Sequence, residues 1–170
     1  MKKVVLAVLL LALGFSMVAC ANGKSTIQLK EPDLSKYPEQ LHDWSAEQLR
    51  DYFVEAGIFT NEWYTMLQDH ESSYQGLPIS GNTGYADKEW NYYAVIFTMM
   101  KDDSEGSVED YLNNIRENRA FPYEMGGLPV DHLADNVIFS YSWSEDQSFK
   151  DAMEAAYNRL ITELGITPDF

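Results

Sequence analysis

Trp90-Asn91-Tyr92-Tyr93-Ala94-Val95-Ile96-Phe97-Thr98-Met99-Met100 carries apolar side chains on both sides of a period-two pattern. Trp90, Tyr92, Ala94 and Ile96 fall on one side, and Tyr93, Val95, Phe97 and Met99 on the other. Successive side chains of a strand point to opposite faces. Apolar residues on both therefore predict a central strand with a cover over each face of its sheet.

Helices are the available covers, and the chain signals about three. Ser45 is a good N-cap, Gln48 stands where a capping-box partner belongs, and Trp44 and Leu49 occupy the hydrophobic-staple positions. Leu49, Tyr52, Phe53 and Ala56 form the apolar stripe, and Gly57 supplies the stop. Ser107 and Asp110 make a second capping pair, opening a helix to about Asn118 with Val108, Tyr111, Leu112 and Ile115 inward. Ser144 and Gln147 repeat the arrangement before a last helix. Its Phe149, Ala152, Met153, Ala156, Tyr157, Leu160, Ile161 and Leu164 trace a full apolar face that ends at Gly165 and Pro168.

Further strands are expected at residues 58–67, interrupted at Asn61 and Glu62, and at residues 136–143. In the latter Val137, Phe139, Tyr141 and Trp143 share one face while Ile138, Ser140 and Ser142 sit on the other, which predicts half-burial. Ile27 and Leu29 alternate in residues 26–30, as in a short edge strand. Residues 68–89, with Gly76, Pro78, Gly81 and Gly84, and residues 122–129, with Pro122, Gly126, Gly127 and Pro129, read as irregular. The fold class expected is α+β: a small, mostly antiparallel sheet packed by about three helices in a single domain spanning residues 26–170. Val95-Ile96-Phe97-Thr98 and Val137-Ile138-Phe139-Ser140 each precede an acidic turn and a helix. Their unequal intervals favour convergence of common patterns over duplication.

Of 170 residues, 12 are basic and 27 acidic, a formal charge of −15. Phosphate contacts need clustered Lys and Arg, so nucleic acid is not an expected partner. Cys20 is the only cysteine, which excludes an intrachain disulfide, thiolate metal sites in the domain and thiol catalysis.

The segment around Cys20 reads as a secretory targeting signal. Lys2 and Lys3 are followed by ten unbroken apolar residues, Val4 to Leu13, and small residues close the segment. The apolar run is shorter than the roughly 20 residues of a membrane span. Met17-Val18-Ala19-Cys20 resembles the lipobox of bacterial lipoproteins, with Met17 where leucine is usual. The resemblance implies that residues 1–19 are removed, that Cys20 becomes the lipidated first residue, and that residues 20–25 form a short tether to a membrane of the bacterial cell envelope. Loss of Lys2 and Lys3 takes the charge from −15 to −17. An anionic lipid surface repels such a domain, so a covalent anchor is the fitting attachment.

No comparable signal marks chemistry. His42 adjoins Asp43, His70 lies between Asp69 and Glu71, and His132 follows Asp131 with Asp135 nearby, so a zinc site built from them is conceivable. None has metalloprotease spacing. The acidic run from Asp102 to Asp110 fails as an EF-hand, because the glycine register puts Lys101 first and Leu112 last. Serine-hydrolase, Walker and dinucleotide motifs are absent. No catalytic residue, metal or cofactor is expected. The candidate ligand-binding residues are aromatics bordering the irregular stretches: Tyr74, Tyr85, Trp90 and Tyr123. The expected function is a non-enzymatic binding or interaction domain for a protein, glycan or small molecule. The alternative is an extracytoplasmic enzyme acting on cell-wall or polysaccharide material through paired carboxylates.

Overall fold

The computed structural model describes residues 27–60, 64–69, 78–86, 91–100, 107–122 and 126–170. In chain order these form α1 (Ala46–Glu55), β1 (Tyr64–Asp69), β2 (Ile79–Ala86), β3 (Tyr93–Met99), α2 (Ser107–Asn118), β4 (His132–Ala134), β5 (Val137–Ser140) and α3 (Gln147–Leu164). The strands make one antiparallel sheet in the order β1-β2-β3-β5-β4. The α+β arrangement in a single domain is as the sequence indicates.

β3 lies in the middle, and its two apolar faces serve two separate cores. Ala94 and Ile96 pack with α1 and α3, among Leu49, Phe53, Phe149, Met153 and Leu160. Val95, Phe97 and Met99 pack with α2, among Val108, Leu112 and Ile115. Each such side chain, fully buried, contributes about 1.5–3 kcal/mol. Trp90 lies outside the described residues.

Helix α1 forms as its local signals require. The Ser45 side chain accepts from the Gln48 amide at 3.1 Å, and the Gln48 side chain accepts from the Ser45 amide at 2.9 Å. Gly57 follows with φ +80°, and a Cβ there would stand 2.9 Å from the Gln28 carbonyl oxygen. Residues 27–30 are not the edge strand expected: Lys30 donates its amide to the Ala56 carbonyl, and Ile27 packs on the first core while Leu29 is exposed. Tyr52 donates its hydroxyl to the Ala156 carbonyl at 2.9 Å, joining α1 to α3.

Four local expectations are corrected. Residues 58 and 59 turn back onto α1, with the Ile58 and Phe59 amides both donating to the Phe53 carbonyl, so the strand starts only at Tyr64. The stretch expected to be irregular contains β2, an interior strand hydrogen-bonded on both sides, with a register shift between Ile79 and Gly81. Its Gly-Asn-Thr-Gly core has poor strand propensity, but neighbours on both edges override that. β5 is buried on both faces rather than half-buried, because α2 covers the second one. The Ser140 hydroxyl donates to the Pro129 carbonyl at 2.5 Å, and Trp143 packs toward the α2 core, away from Val137 and Phe139. The cap of α3 is Asp146, which accepts from the Phe149 amide at 3.0 Å. Ser144 instead donates its hydroxyl to the Asn91 carbonyl at 2.7 Å.

β4 was not expected. It pairs with β5 through a two-residue turn in which Asp135 and Asn136 have φ of 48° and 62°. Positive φ at both central residues is the turn that matches strand twist in a hairpin. The tetrapeptides at 95–98 and 137–140 pair antiparallel with each other, Ile96 opposite Phe139 and Phe97 opposite Ile138.

Candidate functional site

A cleft of about 230 Å³ opens where the chain enters α1. His42, Asp43, Trp44, Ser45 and Ala46 form one wall, Ser80 and Gly81 of β2 and Thr98 of β3 the other. The β4–β5 hairpin reaches it from the side. Asp135 accepts the His42 ring Nδ1 at 2.6 Å and the His42 backbone amide at 3.0 Å, so one carboxylate holds both parts of the residue. A 3-10 turn at Leu41–Asp43 presents His42 this way, with Leu41 buried as its anchor. Trp44 is fixed behind it by stacking on Tyr37 at 4.4 Å and by donating to the Pro38 carbonyl at 2.9 Å.

The strand side of the cleft is polar. Ser80 donates toward the Thr98 and Met99 carbonyls at 3.1 and 3.2 Å. The hydroxyls of Thr98 and Thr83 are buried with no hydrogen-bond partner among the described residues. Thr83 lies opposite Ile96, two residues along β3 from Thr98, so both hydroxyls share the α1 and α3 face.

An imidazole whose Nδ1 is held by a carboxylate is the orienting half of a general acid–base arrangement. Among the described residues no serine hydroxyl hydrogen-bonds to His42. The Ser45 hydroxyl caps α1, and the Ser80 hydroxyl faces strand carbonyls. The cleft is smaller than the roughly 300–1,000 Å³ of drug-sized ligand sites, so it suits a small group.

A second polar cluster surrounds His132 on β4. Its Nε2 lies 2.8 Å from a Glu154 carboxylate oxygen and 3.0 Å from the Tyr141 hydroxyl, and its ring stacks on Tyr157 at 3.9 Å. Burial alone would raise the Glu154 carboxyl. Hydrogen bonds from Tyr141, His132 and Asn158 outweigh it and hold the group below the ordinary carboxylate range. Burial, and then the bond to Glu154, push the Tyr141 hydroxyl upward.

His42 and His132 thus have separate carboxylate partners and do not converge on a metal. Among the described residues no group of three or more potential ligands is assembled. His70 lies outside the described residues, as do Tyr74, Trp90, Tyr123 and Cys20. Tyr85 is described, and it is in the core rather than on a loop rim. It is 2% exposed, stacks on Phe59 at 3.5 Å and donates its hydroxyl to the Thr60 carbonyl at 2.7 Å. The sequence pairs His42 with its neighbour Asp43, whose carboxylate lies 3.8 Å from Nε2, but the shorter contact, at 2.6 Å, is to Asp135, 93 residues away. The Asp-Asn pair between apolar dipeptides marks the hairpin that carries Asp135, but no local signal places that hairpin beside residue 42.

The class defined by these observations is an α+β domain with both sheet faces covered by helices and a small cleft at one end of the sheet. No family model matches the chain, and no curated protein or solved structure matches it.

Proposed function

We propose that the chain is a lipoprotein of the bacterial cell envelope, anchored through lipid on Cys20, whose acidic domain binds a protein, glycan or small molecule without transforming it. The observation that carries the reading is the sequence from Lys2 to Cys20, with its basic start, ten-residue apolar run and lipobox-like Met17-Val18-Ala19-Cys20. The sign of the domain's charge supports a covalent anchor over electrostatic adsorption. No helix among the described residues is long and apolar enough to cross a membrane.

The test is mass spectrometry of the mature N-terminus, together with detergent partitioning of the wild type and of Cys20→Ser. The reading expects a lipid adduct on Cys20 and loss of detergent partitioning in the variant. An unmodified terminus at another residue overturns it.

Two closed cores and a shallow cleft support binding over turnover. The enzymatic alternative has the His42–Asp135 pair in its favour and requires loss of polysaccharide or cell-wall cleavage in His42→Ala. A panel of glycans and short peptides, read by thermal shift on the wild type, separates the two readings, since a binder shifts the melting temperature and leaves the ligand intact.

A further inference from the structure

β4 is an edge strand, and an edge presents unpaired backbone groups to other chains. Residues 165–170 run past it as a strap. The Asp169 amide donates to the Leu133 carbonyl at 2.8 Å, the Asp169 carboxylate meets Arg116 of α2 at 3.1 Å, and the Phe170 ring lies 4.5 Å beneath the Arg119 guanidinium. His132, inside β4, touches the same strap: its Nδ1 lies 3.3 Å from the Phe170 backbone oxygen.

Each ring nitrogen of His132 therefore faces an acceptor. Nε2 meets the Glu154 carboxylate, and Nδ1 meets the Phe170 oxygen. The Tyr141 hydroxyl, also near Nε2, spends its proton on the same Glu154 oxygen. A neutral imidazole carries one N–H and can satisfy only one of the two contacts, whereas the imidazolium satisfies both. We propose that His132 is a proton-operated latch: charged, it ties the strap to β4 and α3; neutral, it releases one side and loosens the strap from the sheet edge.

Groups from several directions surround the ring. From α3, Glu154 and the stacked Tyr157 face the ring; from the segment after β5 comes Tyr141; from the strap, the Phe170 oxygen, while Asp169 acts on Tyr157. Asp131, just before β4, turns its carboxylate to the Tyr141 and Ser142 amides. Arg116 of α2 and Arg119, just past its end, hold the strap from its other side. An imidazole loses its charge as pH rises, so rising pH is the releasing direction.

The experiment follows the His132 ring nitrogens by NMR and amide exchange at Asp169 on the full chain, between about pH 5 and pH 8, where histidines change charge. Both nitrogens are expected to bear protons while the Asp169 amide is protected. Protection, corrected for intrinsic exchange, is expected to fall about five- to tenfold as the ring becomes neutral, the equivalent of one lost hydrogen bond. In His132→Gln it is expected to be low and flat with pH. Should that variant fail to fold, Glu154→Gln serves in its place and is expected to shift the loss of protection to lower pH. A neutral ring with Asp169 still protected, or protection unchanged across the titration, overturns the latch.

Discussion

Asp135 and His42 meet at 2.6 Å although 93 residues separate them, and the same carboxylate also accepts the His42 amide. The pair joins the tip of the β4–β5 hairpin to the turn that starts α1. Asp135→Ala removes the acceptor for both donors and places alanine where φ is positive. The expected loss is about 2 kcal/mol by urea denaturation, with the pair's partial exposure keeping the charge contribution small. Asp135→Asn tolerates the turn and is expected to lose about half as much.

Gly57 is held by two constraints at once, a left-handed backbone and the Gln28 carbonyl 2.9 Å from where a Cβ would sit. Gly57→Ala is expected to destabilise by about 2 kcal/mol, from strain plus displacement of residues 27–30. Gly127, also at positive φ but with nothing within 4 Å of an added Cβ, is the control, and its alanine variant should lose only about 1 kcal/mol.

The buried, unpartnered hydroxyls of Thr83 and Thr98 predict stabilisation when they are removed without changing shape. Thr98→Val and Thr83→Val are each expected to raise stability by about 1 kcal/mol in thermal melts. A loss of that size would mean the hydroxyls find a partner in the folded protein.

The depressed Glu154 carboxyl gives a pH signature. Because the folded form holds the charge more readily than the unfolded chain, its contribution is complete above the unfolded value, about 4.3, and is lost as pH falls through the folded value. Glu154→Gln is therefore expected to cost about 1 kcal/mol near pH 7, discounted for the half-exposed side chain. Denaturation at successively lower pH beneath the unfolded value should show the gap to wild type closing.

Tyr85 is a core residue, so Tyr85→Ala is expected to cost about 3–5 kcal/mol. Tyr85→Phe, which deletes only the bond to Thr60, should cost about 1 kcal/mol.

Periodicity is a good guide where a whole face or both faces are apolar, and it misleads at β5, whose serine-bearing face α2 covers. Residues 92–99 announced two cores, and the stripe from Phe149 to Ile161 announced α3, because burial imposes the period directly. β2 was illegible for the opposite reason: Gly81, Asn82 and Gly84 carry no strand preference, and their conformation comes from hydrogen bonds to strands on either side. The cap of α3 was misplaced by two residues because Ser144 and Asp146 are both good caps, and the Asn91 carbonyl, far away in sequence, claims the serine. The site was less legible than the fold. Residue type marked His42 and Asp135 as chemically capable, but only the sheet order brings them together.

The chain enters the described domain through residues 27–30, where the Lys30 amide bonds the Ala56 carbonyl and the Lys30 carbonyl accepts from Arg159 of α3 at 2.9 Å. A pull on this end thus loads the two helices that share the larger core, and bypasses the sheet edges, where strands could unzip one bond at a time. The joint resists traction as a riveted lap does, with several contacts strained together before any gives way.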